Sequence, residues 1–173
     1  MLLLFGLAGS GKSTQGRILA AKYGWKWISA GQVLRDAKVF DEIMARGELV
    51  DDDIVIDLML NEIKQAKQAG LEVIIDGFPR NEYQAKVLLG KVQQEIKKAV
   101  YIEVPKEELW HRLVLRDRQD DTEESVKKRF AIIEQNIYAI ISLLESHNIK
   151  VAHIDGSGSR EQVTERLTKE IEQ

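Results

Sequence analysis

MLLLFGLAGSGKST, residues 1–14, decides how the rest of the chain is read. An apolar run stops at Gly6, and the residues after it place Gly6, Gly11, Lys12 and Ser13 on the spacing G-x-x-x-x-G-K-[ST]. A short continuous apolar run of this kind suits a strand buried on both faces of a parallel sheet. It is broken by glycine and reaches a lysine too soon to be a signal segment or a membrane span. The glycines let the backbone curl so that its N–H groups point inward, and the helix that follows adds its positive end, so the turn suits a chain of phosphates. Lys12 can then reach the outer phosphates, and Ser13 can offer an oxygen to magnesium.

The 173 residues contain no repeat, low-complexity block or Pro/Gly-rich linker, and read as one domain. Short apolar runs at about 1–5, 26–28, 72–75, 99–104 and 150–154 are each followed by a longer segment with helical spacing. That alternation predicts an α/β fold, a parallel sheet with helices on both faces. VPKEEL places Pro105 and two glutamates in a first helical turn, and DDDIVIDLM starts with three carboxylates, Asp51, Asp52 and Asp53, expected to cap a helix. Trp25, Trp27 and Trp110 are expected to pack, and His111, His147 and His153 are scattered surface or packed residues.

Cysteine is absent, which excludes a disulfide framework and a thiolate metal site and agrees with a reducing compartment; a cytoplasmic location is expected. The formal net charge of -3 is spread along the chain. No nucleic-acid or membrane surface is expected, and any anion should be bound locally.

A phosphate loop alone does not choose between switches, motors, transporters and kinases. EVIIDGFPRNEYQ, residues 72–84, narrows the choice. Asp76 ends a buried strand, where its carboxylate can hold the water shell of a magnesium ion if that strand neighbours the first. Arg80 is a phosphate-binding cation, and Gln84 carries an amide able to pair with a base edge. Further on, RLVLRDRQDDTEESVKKRF, residues 112–130, holds four arginines, which serve either a solvated helix face or an anion clamp.

Taken with SAGQVLR, GELV and the late IDGSGS, these segments closely resemble the adenylate kinase and nucleoside monophosphate kinase family over nearly the whole chain. The resemblance implies a P-loop NTPase fold with a five-stranded parallel sheet and two small excursions, an NMP-binding one at about 29–52 and a short lid at about 112–122. It implies Mg-dependent, reversible phosphoryl transfer from ATP to AMP. On the donor side it implies ATP-binding roles for Gly9, Ser10, Gly11, Lys12, Ser13, Thr14, Arg112 and Gly156. On the acceptor side it implies AMP-binding roles for Ala30, Gly31, Arg35, Glu48, Leu49, Val50, Gly77, Arg80 and Gln84. Lys12, Arg80, Arg116, Arg118 and Arg129 would form the catalytic clamp, with Asp120 and Asp121 orienting it, and Ser13 and Asp76 would hold magnesium, the latter through water. The arginines of residues 112–130 are then a clamp.

The chain departs from the family at three places. Ala30-Gly31-Gln32 stands where adenylate kinases read Thr-Gly-Asp, and alanine there is common in uridylate/cytidylate kinases, so a UMP/CMP kinase is the alternative reading. A poorly active nucleotide-binding regulatory protein is a second, opposed by the complete set of arginines. Few residues separate Arg35 from Gly47, so the acceptor arm is short. Only Asp117 separates Arg116 from Arg118, which leaves no room for a zinc-binding lid insertion; zinc is not expected, and the oligomeric state is not indicated.

Overall fold

The computed structural model describes residues 1–37, 50–114 and 123–173. Five strands, β1 (Leu2–Phe5), β2 (Lys26–Ser29), β3 (Val73–Asp76), β4 (Lys98–Glu103) and β5 (Val151–Asp155), form one sheet in the order β2-β3-β1-β4-β5. All pairings are parallel, as the alternation predicts. The helices are α1 (Lys12–Tyr23), α2 (Ala30–Ala37), α3 (Asp52–Gln68), α4 (Glu82–Val92), α5 (Lys106–Val114), α6 (Glu123–Ser146) and α7 (Arg160–Ile171).

Alternate side chains of each strand point to opposite faces, and this divides the core in two. Leu2, Leu4, Ile74, Val100 and Ile102 meet Leu19 of α1 and Val163 and Leu167 of α7 on one face. Leu3, Phe5, Val73, Ile75 and Ala99 meet residues of α2, α3, α4 and α6 on the other. Every residue of β1 is buried, which explains its unbroken apolar sequence. Full burial of a Leu or Ile contributes about 1.5–3 kcal/mol, so this central strand is a large share of what holds the sheet.

β1 leads into α1 on the first face, whereas its neighbour β3 leads into α4 on the second. Chain segments leaving adjacent strands toward opposite faces open a crevice at the strands' carboxyl ends. Leu4 pairs with Asp76 and Ser29 with Asp76 in register, so the ends of β1, β2 and β3 lie side by side.

Three local expectations need correction. Asp51 alone caps α3, its side chain accepting from the backbone of Asp53 and Ile54; Asp52 and Asp53 stand in the first turn, where their carboxylates accept from Asn81 and Tyr83 at the start of α4. Pro105 stands just before α5 rather than inside it, its carbonyl accepting from Leu109 N at 3.0 Å. Trp25 and Trp27 pack against the α1/α7 core, but Trp110 is 36 % exposed. The buried stripe of α5 runs through Leu109 and Leu113, and residue 110 lies about 80° from its centre around the helix.

The expected excursions fall largely on residues 38–49 and 115–122, outside the described residues, as do Glu48, Leu49, Arg116, Arg118, Asp120 and Asp121. Arg129 lies on α6, and its side chain is likewise outside what is described.

Candidate active site

The phosphate loop connects β1 to α1 through left-handed glycines. Gly9 has φ 85°, and a Cβ there would lie 3.0 Å from the Leu109 carbonyl, so both conformation and space require glycine. Gly11 is the N-cap of α1 and supplies no side chain to cover the first turn. The positive end of α1 therefore faces outward at the crevice, as anion binding requires. Lys12 curls back over the loop, its Nζ donating to Leu7 O at 2.8 Å and Ser10 Oγ at 3.4 Å.

Across the crevice, Ser13 Oγ donates to Asp76 Oδ2 at 2.6 Å. Asp76 is 2 % exposed. A hydroxyl and a carboxylate side by side at the end of a phosphate loop are hard oxygen donors, the chemistry magnesium prefers. The two residues fit that ion.

A cleft of about 640 Å³ opens over this loop. Gly9, Ser10, Gly11, Lys12, Ser13, Thr14, Arg112 and Gly156 all line it, so the eight residues expected to bind ATP come together, while Arg116, Arg118 and the Arg129 side chain lie outside what is described. Arg112 comes from α5, after β4, and Gly156 from the turn after β5. Arg112 Nη2 donates to Gly156 O at 2.9 Å and pairs with Glu108 one turn earlier, which fixes the guanidinium along one wall. Gly156 is needed for fit: a Cβ there would lie 2.5 Å from Ile102 Cγ2.

Sequence reasoning missed Arg160, which also lines the cleft at the start of α7. Its carbonyl accepts from Gln15 Nε2 at 3.0 Å and thus joins α7 to α1. The available signal was its place one residue after the capping Ser159, in a Gly/Ser turn following the last strand.

The residues expected on the acceptor side sit at the other half of the sheet edge. Ala30 and Gly31 begin α2 directly after β2, and Arg35 lies one turn on, its Nη2 donating to Gln32 Oε1 at 3.3 Å. Gly77 follows β3, and Arg80 Nε donates to Gly77 O at 2.9 Å. Gln84, in the first turn of α4, is 1 % exposed. Its Oε1 accepts from Arg80 N at 2.8 Å and its Nε2 donates to Asp52 Oδ1 at 2.7 Å. Val50, just before α3, is buried.

The topology thus assigns the two sets to separate strands, β2 and β3 for one and β1, β4 and β5 for the other, with the Ser13–Asp76 bond at their boundary. No helix among the described residues is long and apolar enough to cross a membrane.

A parallel α/β sheet with a phosphate loop after its first and central strand defines a P-loop NTPase fold. The sequence model of the family described as adenylate kinase matches residues 4–149. An adenylate kinase of Xanthomonas axonopodis pv. citri is 37 % identical over 98 % of both chains. One from Synechococcus sp. strain WH7803 is 33 % identical over 96 % of this chain and 95 % of its own. One from Thermus thermophilus is 32 % identical over 96 % and 94 %. The chain belongs to the adenylate kinase family, and is in class a nucleoside monophosphate kinase, a phosphotransferase. Nothing in these comparisons favours the uridylate/cytidylate alternative.

Proposed function

We propose that this enzyme transfers the terminal phosphoryl group of ATP to AMP, giving two ADP, with magnesium held beside Ser13 and Asp76. The observation that carries the reading is the partition of the sheet edge: a phosphate-loop cleft on the β1/β4/β5 half and two arginines, Arg35 and Arg80, on the β2/β3 half. Two anionic nucleotides laid along that edge meet where Ser13 touches Asp76.

In-line phosphoryl transfer needs positioning and charge neutralisation more than covalent help. The loop amides, the α1 terminus and Lys12 take the donor phosphates, Arg112 lies against the donor's base, and Arg35 and Arg80 grip the acceptor phosphate. Arg116, Arg118 and Arg129 complete the clamp around the transferred group. Magnesium, when bound, offsets charge on the donor phosphates. Gln84 reads the acceptor base, with Ala30, Gly31 and Gly77 and the backbone around Val50 lining its pocket. Ala30 lacks a hydroxyl but brings no group that recognises a pyrimidine, so the amide decides in favour of adenine. Nucleotide interconversion of this kind sets the work in the cytoplasm.

A coupled assay across AMP, UMP, CMP, GMP and dAMP tests the reading. AMP should show the highest kcat/KM, and Gln84→Ala should lower it chiefly for AMP. A wild-type enzyme that prefers UMP or CMP would overturn the adenine assignment and leave the fold and phosphate clamp untouched.

A further inference from the structure

Gln84 and Asp52 are brought together from the starts of two helices, α4 and α3, and their bond has a consequence for base selection. A carboxamide can present its two polar atoms in either order, because a half-turn about its last bond exchanges oxygen and nitrogen. Here the order is set by chemistry. Arg80 N is a backbone donor and requires Oε1, 2.8 Å away; the Asp52 carboxylate is an acceptor and requires Nε2, 2.7 Å away. Reversal would set N–H against N–H and oxygen against carboxylate at a residue only 1 % exposed, where neither loss is made good by water.

Asp52 is itself held. Asn81 Nδ2 donates to its Oδ1 and Oδ2 at 2.9 and 2.8 Å, while Asn81 Oδ1 accepts from Gln84 N at 2.8 Å. Four groups therefore close one network around the Gln84 amide.

We propose that Asp52 is a positioning residue for base selection: it locks the Gln84 amide in the one orientation that complements a 6-amino purine and opposes a 6-oxo purine. This rests on the reading that Gln84 faces the acceptor base. The two internal bonds use one hydrogen of Nε2 and one lone pair of Oε1, so a donor and an acceptor remain to be offered in fixed order. Adenine brings an amine beside an unprotonated ring nitrogen, which pairs with both. Hypoxanthine, of nearly the same size, brings a carbonyl beside a ring N–H, the reverse order. A freely turning amide would serve either base, whereas the locked one rejects the second.

The test compares kcat/KM for AMP and for inosine monophosphate in wild type, Asp52→Leu, Asp52→Asn and Gln84→Ala. Wild type should favour AMP by at least about tenfold. Asp52→Leu keeps the γ-branched shape, though larger, without an acceptor and should lower the AMP-to-IMP ratio by about tenfold or more, chiefly through faster turnover of IMP. Asp52→Asn retains an oxygen that can accept from Gln84 and should keep the wild-type ratio. A folded Asp52→Leu enzyme in which both rates fall in parallel, or the ratio is unchanged, overturns the lock and leaves Asp52 a merely structural residue. Should Asp52→Leu fail to fold, the wild-type ratio decides, and near-equal use of the two nucleotides overturns the proposal. Gln84→Ala separates the two levels: a ratio unmoved there removes the base-pocket reading itself, while a collapse there without one in Asp52→Leu removes only the lock.

Discussion

Ser13 Oγ donates to Asp76 Oδ2 across 2.6 Å, tying the first turn of α1 to the end of β3 although the two residues stand 63 positions apart. The bond is available because β1 and β3 are parallel neighbours with Leu4 opposite Asp76. It places a buried carboxylate beside the start of α1 and the phosphate loop.

Asp76→Ala should therefore leave a folded protein that has lost the metal dependence of nucleotide binding. ATP affinity measured calorimetrically with and without magnesium should differ strongly in wild type and little in the variant, with kcat down on the order of 100-fold. An Asp76→Ala protein whose ATP affinity still responds fully to magnesium would remove Asp76 from the metal's surroundings.

Lys12→Ala and Arg118→Ala should each abolish most turnover without unfolding the chain. Loss of one pre-aimed donor to a transferring group costs on the order of 2.7–4 kcal/mol of barrier, and a charged one more. Single-turnover rates in purified variants measure this. A near-normal rate for Arg118→Ala would return the arginines of residues 112–130 to a solvated surface.

Gly16 sits within α1 against the Trp27 ring: a Cβ there would lie 2.6 Å from Cδ1. Arg17, next on the helix, holds its guanidinium 5.1 Å from the same ring's centroid. Gly16→Val should destabilise by about 1–3 kcal/mol through overpacking and shift the Trp fluorescence. A urea midpoint equal to wild type would mean that the ring has room to move aside.

Glu72, just before β3, accepts from Lys97 Nζ at 2.7 Å and from the Met1 ammonium at 3.2 Å. The bond from Lys97, with help from that ammonium and against the cost of burial, holds its carboxyl down at about 2 from an ordinary 4.5. A depressed carboxyl stabilises the fold above its unfolded value, and that contribution is lost as pH falls from about 4.5 toward 2. Glu72 is about a third exposed, so screening limits its worth to about 0.5–1 kcal/mol. Glu72→Gln should be less stable than wild type by that amount near pH 7, with the gap closing in acid. Denaturation curves that stay equally far apart at pH 7 and pH 3 would refute the linkage.

Much of the fold and donor site could be read from residue order because both rest on local rules. Alternating apolar runs and helical segments fix a parallel sheet, since no other arrangement buries them all. The phosphate loop needs glycines, a lysine and a helix start within a few consecutive residues, so Gly6, Gly11, Lys12 and Ser13 declare themselves. The sequence also carried the family resemblance that pointed to Arg112 and Gly156. Only the folded chain decided what depends on strand order and register. It set Arg112 against Gly156, added Arg160 to the same cleft, and turned Asp52 from a helix-capping carboxylate into the acceptor that orients Gln84. Those contacts join residues 44 and 32 positions apart, and no periodicity or spacing encodes them: they arise when the sheet brings the carboxyl ends of its strands to one edge, and each buried polar group must find a partner there.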